Sequence, residues 1–144
     1  MFRGGVFRLD KKPLISGEFQ ITAPIRSAPY SIYFLIDTGS DDVIISFSDA
    51  LRLKIYDIPL PVPTTISGLS GGLPVHAVSA NVSFLEAGRV VGYRRTIYVA
   101  AVGSMDMKVP SIVGQDIISS WDLRINHSRS ILEIIPVSCD FSIP

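Results

Sequence analysis

Residues 35–46 read LIDTGSDDVIIS, and this stretch decides how the rest of the chain is interpreted. An apolar run ends at Asp37, a turn of three small residues follows, and two further acids precede a second apolar run. A strand that enters this turn would hold the Asp37 carboxylate at a fixed place, and Gly39 would allow the tight backbone. Buried apolar segments on both sides of the turn would hold it rigidly. The pattern predicts a catalytic carboxylate, although Asp and Gly are also common in ordinary β-turns.

Short extended segments, separated by Pro, Gly and Ser, dominate the rest of the chain. They are rich in Val, Ile, Tyr, Phe and Thr, which favour strands. Helix is expected only at 48–53 and 115–121, the second with Ile117, Ile118 and Trp121 on one apolar face. The predicted strands are 5–9, 14–22, 30–36, 43–46, 63–68, 73–85, 90–102, 111–113, 122–126 and 131–135. This pattern predicts an all-β fold.

Length and composition limit the classes of function. A chain of 144 residues is enough for one domain with a sizeable core, so residues 1–144 are interpreted as a single domain. Thirteen Lys and Arg balance thirteen Asp and Glu, which argues against a nucleic acid or an anionic membrane as a partner. The hydrophobic content of 47% is high for a soluble monomer and favours an interface between subunits.

Cellular location and cofactors are predicted from what the sequence lacks. No apolar stretch is long enough to span a bilayer, and MFRGGVFRLDKK at the start has no signal-peptide core. We therefore expect a cytoplasmic protein. Cys139 is the single cysteine, so an internal disulfide is impossible. His76 and His127 fit no metal-ligand spacing, and we expect no metal and no cofactor.

The context of Asp37 resembles that of the retropepsin-like aspartic proteases, single-domain relatives of the pepsin fold. Their signature is an apolar pair, Asp-Thr-Gly, Ala or Ser, often two acids, and an apolar run, and LIDTGSDDVII fits each position. A second family marker is similar to SIVGQDIISSW, with Gly114 and Asp116 opening a short helix. Residues 122–134 resemble the hairpin that follows in cellular members. The resemblance covers roughly residues 14–135 and implies a closed β-barrel with one short helix in its C-terminal half.

Members of this family also close over the substrate with a β-hairpin flap. The candidate is TTISGLSGGLPVH, residues 64–76, where Gly68, Gly71 and Gly72 would form a mobile tip. Its composition fits an ordinary loose hairpin equally well. Its position between the two motifs favours the flap.

The chemistry of amide hydrolysis requires two carboxylates. One ionised group accepts a proton from water, and one protonated group polarises the carbonyl. Two carboxylates about 3 Å apart share one proton, as aspartic proteases illustrate. The chain contains a single Asp-Thr-Gly, so a homodimer would have to bring two copies of Asp37 together. Family analogy places the terminal strands, within VFRL (6–9) and ILEIIPV (131–137), at the interface.

The resemblance implies roles for particular residues. Asp37, Thr38 and Gly39 would form the catalytic group, with Thr38 joining the two active-site loops across the axis. An extended peptide or unfolded protein would bind like an added strand. The implied substrate-binding residues are Ser40, Asp41, Asp42, Ile66, Gly68, Leu69 and Gly71.

Two positions depart from the viral pattern. Viral members commonly carry Arg directly after the downstream glycine, where it pairs with the first acid after the motif, but this chain has Gln115. Arg94 or Arg124 could take that place beside Asp41. Ser40 stands where viral members often carry Ala, and its hydroxyl could hydrogen-bond the catalytic carboxylate and lower its pKa.

Three classes of function follow. The leading hypothesis is an aspartic endopeptidase that acts as a homodimer. The alternative is a catalytically weak or inactive protease-like module for dimerisation or peptide binding. The third is a structural β-barrel that carries the motif by chance. The intact Asp-Thr-Gly-Ser argues against a mere binding module, which has no need of that acid.

Overall fold

The computed structural model describes residues 2–3, 6–7, 12–68, 71–126, 128–129 and 131–144. The strands in these ranges are β1 (Phe2–Arg3), β2 (Val6–Phe7), β3 (Pro13–Ala23), β4 (Tyr30–Ile36), β5 (Ile44–Ile45), β6 (Thr64–Gly68), β7 (Gly71–Glu86), β8 (Arg89–Ala100), β9 (Ser111–Val113), β10 (Trp121–Asn126), β11 (Ile131–Pro136) and β12 (Phe141–Ile143). The helices are α1 (Phe47–Arg52), α2 (Gln115–Ile118) and a 3-10 helix, Ile55–Asp57. The prediction of an all-β fold is confirmed.

Six strands close into a barrel in the order β8, β5, β9, β4, β3, β7 and back to β8. The β4–β9 and β5–β8 pairs are parallel, and the other neighbours in the barrel are antiparallel. Side chains alternate along the strands, so that Ile15, Phe19 and Ile21 of β3 are buried in the barrel. The closed barrel removes the exposed edges that these apolar strands would otherwise present.

Aromatic rings fill the end of the barrel nearest the second sheet. Phe84 and Trp121 meet edge to face with ring centroids 5.2 Å apart. The Trp121 indole donates a hydrogen bond of 2.7 Å to the Tyr93 hydroxyl, which in turn donates to the Ser138 carbonyl oxygen. Both polar atoms of these buried rings are therefore satisfied.

A smaller sheet, in the order β1, β11, β10, packs on the barrel. Its inward side chains include Trp121, Leu132 and Ile134, which belong to the hydrophobic core. The helix α2 connects barrel strand β9 to β10 of this sheet. No helix in the described part of the chain is both long and apolar enough to cross a membrane.

The predicted helix 115–121 is too long. The structure ends α2 at Ile118, and Trp121 is already the first residue of β10, paired with Pro136. Ile117, Ile118 and Trp121 do share the core, but Trp121 reaches it from a strand. Apolar spacing alone does not separate these two arrangements, because both bury the same three side chains.

The C-terminal strand β12 and the short 3-10 helix were not predicted from the sequence. Strand β12 pairs with β8, and the ring of Phe141 occupies the space that a side chain at Gly92 would fill. This pairing depends on a contact between positions distant in sequence, which local patterns do not reveal.

Candidate active site

Asp37 lies directly after β4, where two parallel strands end side by side. Its backbone N–H donates a hydrogen bond of 3.1 Å to the carbonyl oxygen of Val113, the last residue of β9. The β4–β9 pairing therefore brings the turn after Asp37 next to the turn at Gly114. The structure thus brings together the two motifs on which the family resemblance rests.

Backbone groups of the turn after β4 hold the Asp37 carboxylate in place. The Gly39 N–H donates a hydrogen bond of 3.0 Å to Asp37 Oδ1, and the Ser40 N–H donates to the Asp37 carbonyl oxygen over 3.2 Å. Asp37 is half-buried, whereas Thr38 and Gly39 are exposed. The carboxylate thus has one oxygen fixed by a backbone donor while the turn around it stays accessible.

The start of α2 binds the far side of this turn through backbone hydrogen bonds. The Gln115 N–H donates to the Ser40 carbonyl oxygen over 2.8 Å, and the Asp116 N–H donates to the Asp41 carbonyl oxygen over 3.0 Å. A Cβ atom at Gly114 would lie 2.6 Å from the Ser40 carbonyl oxygen, so this position has no room for a side chain. The downstream glycine is therefore explained by a close approach of two backbones.

Gln115 also binds the turn with its side chain. Its Nε2 donates a hydrogen bond of 2.9 Å to the Thr38 carbonyl oxygen. Neither arginine suggested from the sequence takes the place beside Asp41. Arg94 lies over the Phe141 ring, 5.1 Å from its centroid, and Arg124 is the cross-strand neighbour of Glu133. Within the described ranges Asp41 forms no ion pair, so a neutral amide anchors the turn from this position.

The expected hydrogen bond between Ser40 and the catalytic carboxylate is contradicted. The Ser40 hydroxyl donates to the Asp42 carbonyl oxygen over 3.3 Å and accepts from the Asp42 N–H over 3.4 Å. Ser40 therefore braces the backbone of the turn, and the donor to Asp37 Oδ1 is the Gly39 N–H instead. Both groups are local to the turn, and the sequence does not show which of them faces the carboxylate.

A second group of carboxylates lies behind the turn. Burial, and then the neighbouring charge of Asp42, raise the pKa of Asp116 to about 6. The charge of Arg95, and then the N–H groups of Ile117 and Val43, offset part of this rise. Asp116 Oδ1 is buried and has no hydrogen-bond partner in the described part of the chain. Burial, and then the charge of Asp41, also raise the pKa of Asp42. Sequence reasoning marked Asp116 as part of a motif but did not predict its burial.

The predicted flap is an antiparallel hairpin of β6 and β7. Its register runs from Thr64 opposite Val75 to Gly68 opposite Gly71. Ile66 is half-buried in its first arm. Leu69, which was predicted to cover the substrate, lies outside the described residues. The hairpin is present where the sequence placed it, and its contact with substrate remains a prediction.

An open groove of about 630 Å³ lies on another part of the surface. It is bordered by the outer side of β3 and β4, by α1 and by residues 108–110, and it includes Tyr33 and Arg52. Residues 37–42 do not line it. Within the described part of the chain, no three His, Cys, Asp or Glu side chains come together as metal ligands.

Comparison with known proteins places this site in a family. Residues 23–117 match the aspartyl protease family, whereas no curated protein matches the chain. A retropepsin-like aspartic protease from Rickettsia conorii is 18% identical, with 88% of this chain and 84% of that chain covered and a TM-score of 0.52. The EIAV protease, solved with an inhibitor, is 22% identical, with 79% and 91% covered and a TM-score of 0.45. The expected barrel is confirmed: the chain belongs to the aspartyl protease family and has the retropepsin-like fold.

Proposed function

We propose that the protein is an aspartic endopeptidase in which two identical chains each contribute Asp37 to one active site. The observation that carries this proposal is the position of Asp37. It directly follows β4, a strand with one buried face, in a chain of the aspartyl protease family, with Oδ1 held by the Gly39 N–H and the turn open to solvent. A binding module would have no use for a carboxylate held in this way.

The proposed reaction needs both carboxyl groups and no covalent intermediate. The ionised carboxylate of the pair accepts a proton from water, and the oxygen of that water attacks the scissile carbonyl carbon. The protonated carboxyl group donates to the carbonyl oxygen, which gains negative charge as the new C–O bond forms. A proton is then passed to the amide nitrogen, the C–N bond breaks, and an acid and an amine leave.

The sequence contains one Asp-Thr-Gly, so a single chain supplies one carboxylate in this motif. The nearest acids in sequence, Asp41 and Asp42, belong to the same turn, and Asp116 is half-buried, with its Oδ1 atom inaccessible to solvent. None of these three is followed by Thr-Gly or Ser-Gly. If two identical chains meet on a two-fold axis beside the Asp37 turn, the second chain supplies the second carboxylate.

The substrate in this proposal is an extended peptide or an unfolded protein. It would lie between the Asp37 turn and the β6–β7 hairpin and would form backbone hydrogen bonds as an added strand does. The substrate contacts are proposed for Ser40, Asp41, Asp42, Ile66, Gly68, Leu69 and Gly71. The hairpin would close over the peptide and exclude bulk water from the reacting carbonyl.

Cleavage of an unfolded protein by the wild type and by Asp37→Asn tests this function. Asn keeps an oxygen that can accept the Gly39 hydrogen bond but cannot take part in proton transfer. We expect the wild type to cut internal peptide bonds between acidic and neutral pH, and the variant to lose at least about 100-fold of that rate. Equal rates would contradict the proposal. A dimer without cleavage would favour the binding module, and an inactive monomer would favour the structural barrel.

A further inference from the structure

Arg95, on barrel strand β8, is held in one orientation by contacts on several sides. Its Nε donates a hydrogen bond of 3.1 Å to the Asp116 carbonyl oxygen, and its Nη1 donates to the Arg94 carbonyl oxygen over 2.8 Å. Nη1 also forms an ion pair with Asp140 Oδ2. The guanidinium lies over the Tyr93 ring, 5.5 Å from its centroid. The side chain is 24% exposed, so these contacts are partly shielded from water.

The Asp116 carbonyl oxygen accepts from Arg95 because α2 tightens at its end. In a regular α-helix the Ser120 N–H would reach this oxygen, but here it donates to the Ile117 carbonyl oxygen over 2.8 Å instead. Carbonyl oxygens near a helix C-terminus need a donor from elsewhere. The Arg95 Nε–H supplies the donor that the tightened turn withdraws.

Asp116 connects Arg95 to the Asp37 turn. The Asp116 N–H donates a hydrogen bond of 3.0 Å to the Asp41 carbonyl oxygen, which belongs to that turn. The main chain of Asp116 is therefore bonded to the turn through its N–H and to Arg95 through its carbonyl oxygen. A shift of the Arg95 guanidinium would be passed to the turn by this one residue.

The C-terminal segment, residues 138–143, supplies the carboxylate that orients Arg95. The Asp140 N–H donates to the Gly92 carbonyl oxygen over 2.9 Å, and Asp140 Oδ2 accepts from the Arg94 N–H over 2.7 Å. The strand β12 that follows pairs with β8. The Asp140 carboxylate is thus fixed to the backbone of β8 independently of the Arg95 side chain.

We propose that Arg95 is a positioning residue that couples the C-terminal segment to the Asp37 turn, so that the rate of cleavage depends on the contact between Arg95 and Asp140. The proposal rests on the proposed function, because it concerns the geometry of the same site. The hydrogen bonds of Arg95 go to Asp116, Arg94 and Asp140, and none of these three is proposed to contact the substrate. Loss of Arg95 should therefore lower kcat and leave KM nearly unchanged.

Two substitutions at Arg95 separate a positioning role from a merely structural one. Arg95→Ala should lower kcat at least about fivefold and change KM less than about twofold, because small displacements of reacting groups are costly. Arg95→Lys keeps a positive charge for Asp140 but lacks the fixed fork by which Arg bonds two oxygens through separate nitrogens. It should return the urea midpoint close to that of the wild type without restoring kcat. Recovery of both would indicate a structural role alone and would overturn the proposal.

Asp140→Asn tests whether the C-terminal segment acts through Arg95. Asn keeps an oxygen for the Arg94 N–H but loses the charge that faces Arg95. The single variant should lower kcat about threefold, and it should have no further effect in the Arg95→Ala background. Effects that multiply in the double variant would overturn the coupling.

Arg89→Ala is a matched control on the same strand. Arg89 lies at the other end of β8, where its Nε forms an ion pair of 3.1 Å with Glu86 Oε2. Its loss should leave kcat unchanged. All rates are compared where activity is proportional to protein concentration, so that differences in chain association do not enter.

Amide hydrogen exchange gives a readout that needs no cleavage. The N–H groups of Gln115 and Asp116 hold the Asp37 turn, and they should exchange about fivefold faster in Arg95→Ala and in Asp140→Asn, but not in Arg89→Ala. Faster exchange in a protein that cleaves no peptide would support the coupling and contradict the proposed function. An active wild type with an unchanged kcat in Arg95→Ala would overturn the coupling and leave the function standing. No cleavage and unchanged exchange would contradict both.

Discussion

The side-chain amide of Gln115 donates a hydrogen bond of 2.9 Å to the carbonyl oxygen of Thr38, 77 positions away in sequence. The residue after the downstream glycine thus holds the residue after Asp37. In viral relatives the sequence pattern puts a charged Arg here, and this chain uses a neutral group that bonds the backbone. The Gln115 side-chain amide therefore adds to the backbone hydrogen bonds from Gln115 and Asp116 that hold the Asp37 turn.

Removing that amide should reduce activity more than stability. Gln115→Ala leaves the Thr38 carbonyl oxygen without this donor, and we expect a loss of about 1 kcal/mol in the free energy of unfolding. Because the Thr38 end of the turn is then held less firmly, kcat/KM should fall about tenfold. Urea unfolding and peptide cleavage measure the two effects.

Gln20→Ala is a matched control for this change. Gln20 Nε2 donates to the Ser27 carbonyl oxygen over 2.8 Å, which is the same kind of bond at another place in the fold. Gln20→Ala should lower the free energy of unfolding by a similar amount and leave kcat/KM unchanged. Equal effects of the two variants on cleavage would show that Gln115 has no special relation to the site.

The packing at Gly114 predicts that even one methyl group is too large. The φ and ψ of Gly114, −110° and −166°, are allowed for alanine, so the cost arises from space alone. A Cβ atom there would lie 2.6 Å from the carbonyl oxygens of Ser40 and Asp42, which belong to backbone and move little. Gly114→Ala should lower the free energy of unfolding by about 1–3 kcal/mol. Ser119→Ala, at an exposed position just after α2, should cost far less; similar midpoints in urea would refute the close approach.

Asp116 should make stability fall as the pH rises. Its pKa is about 6 in the folded chain, above the ordinary value of 3.8, so the folded state binds the proton more tightly than the unfolded state. Stability from this group is complete below about pH 4 and declines until the pH passes 6. The Asp116→Asn side chain stays neutral at every pH. The free energy of unfolding of this variant, taken relative to the wild type, should therefore be about 1 kcal/mol higher at pH 7 than at pH 4, after allowance for the partial solvent exposure of Asp116.

Thermal unfolding of both proteins at the two pH values measures this difference. Asp57→Asn removes a charge from an exposed position and serves as the control. A difference between wild type and Asp116→Asn that does not change with pH would mean that Asp116 is not held in its protonated form by burial.

Much of the fold was readable from local sequence, because its strongest signals are local. The alternation in β3 and β4 and the two turns at Gly39 and Gly114 predicted the barrel strands and the site. Helix α2 was predicted too long, since Trp121 reaches the core equally well from a strand. Strand β12 was missed because it exists through pairing with β8 and through the space at Gly92.

The details of the site were less predictable than its location. Ser40 and Gly39 both offer donors near Asp37, and the difference between them is a matter of direction that composition does not encode. The burial of Asp116 depends on the packing of α2 behind the turn, which is a tertiary property. Sequence patterns identify which residue types meet, whereas the structure determines which atoms bond.

Mixing active and inactive chains tests most directly whether each active site takes one Asp37 from each of two chains. A fixed concentration of wild type is titrated with Asp37→Asn under conditions of subunit exchange, and the rate of peptide cleavage is followed. Random association should divert about half of the wild-type chains into mixed dimers at equal concentrations, so the rate should fall to about half and approach zero in excess variant. A rate that stays constant throughout the titration, as with an equal mass of an inert protein, would mean that each chain works alone and would contradict the account.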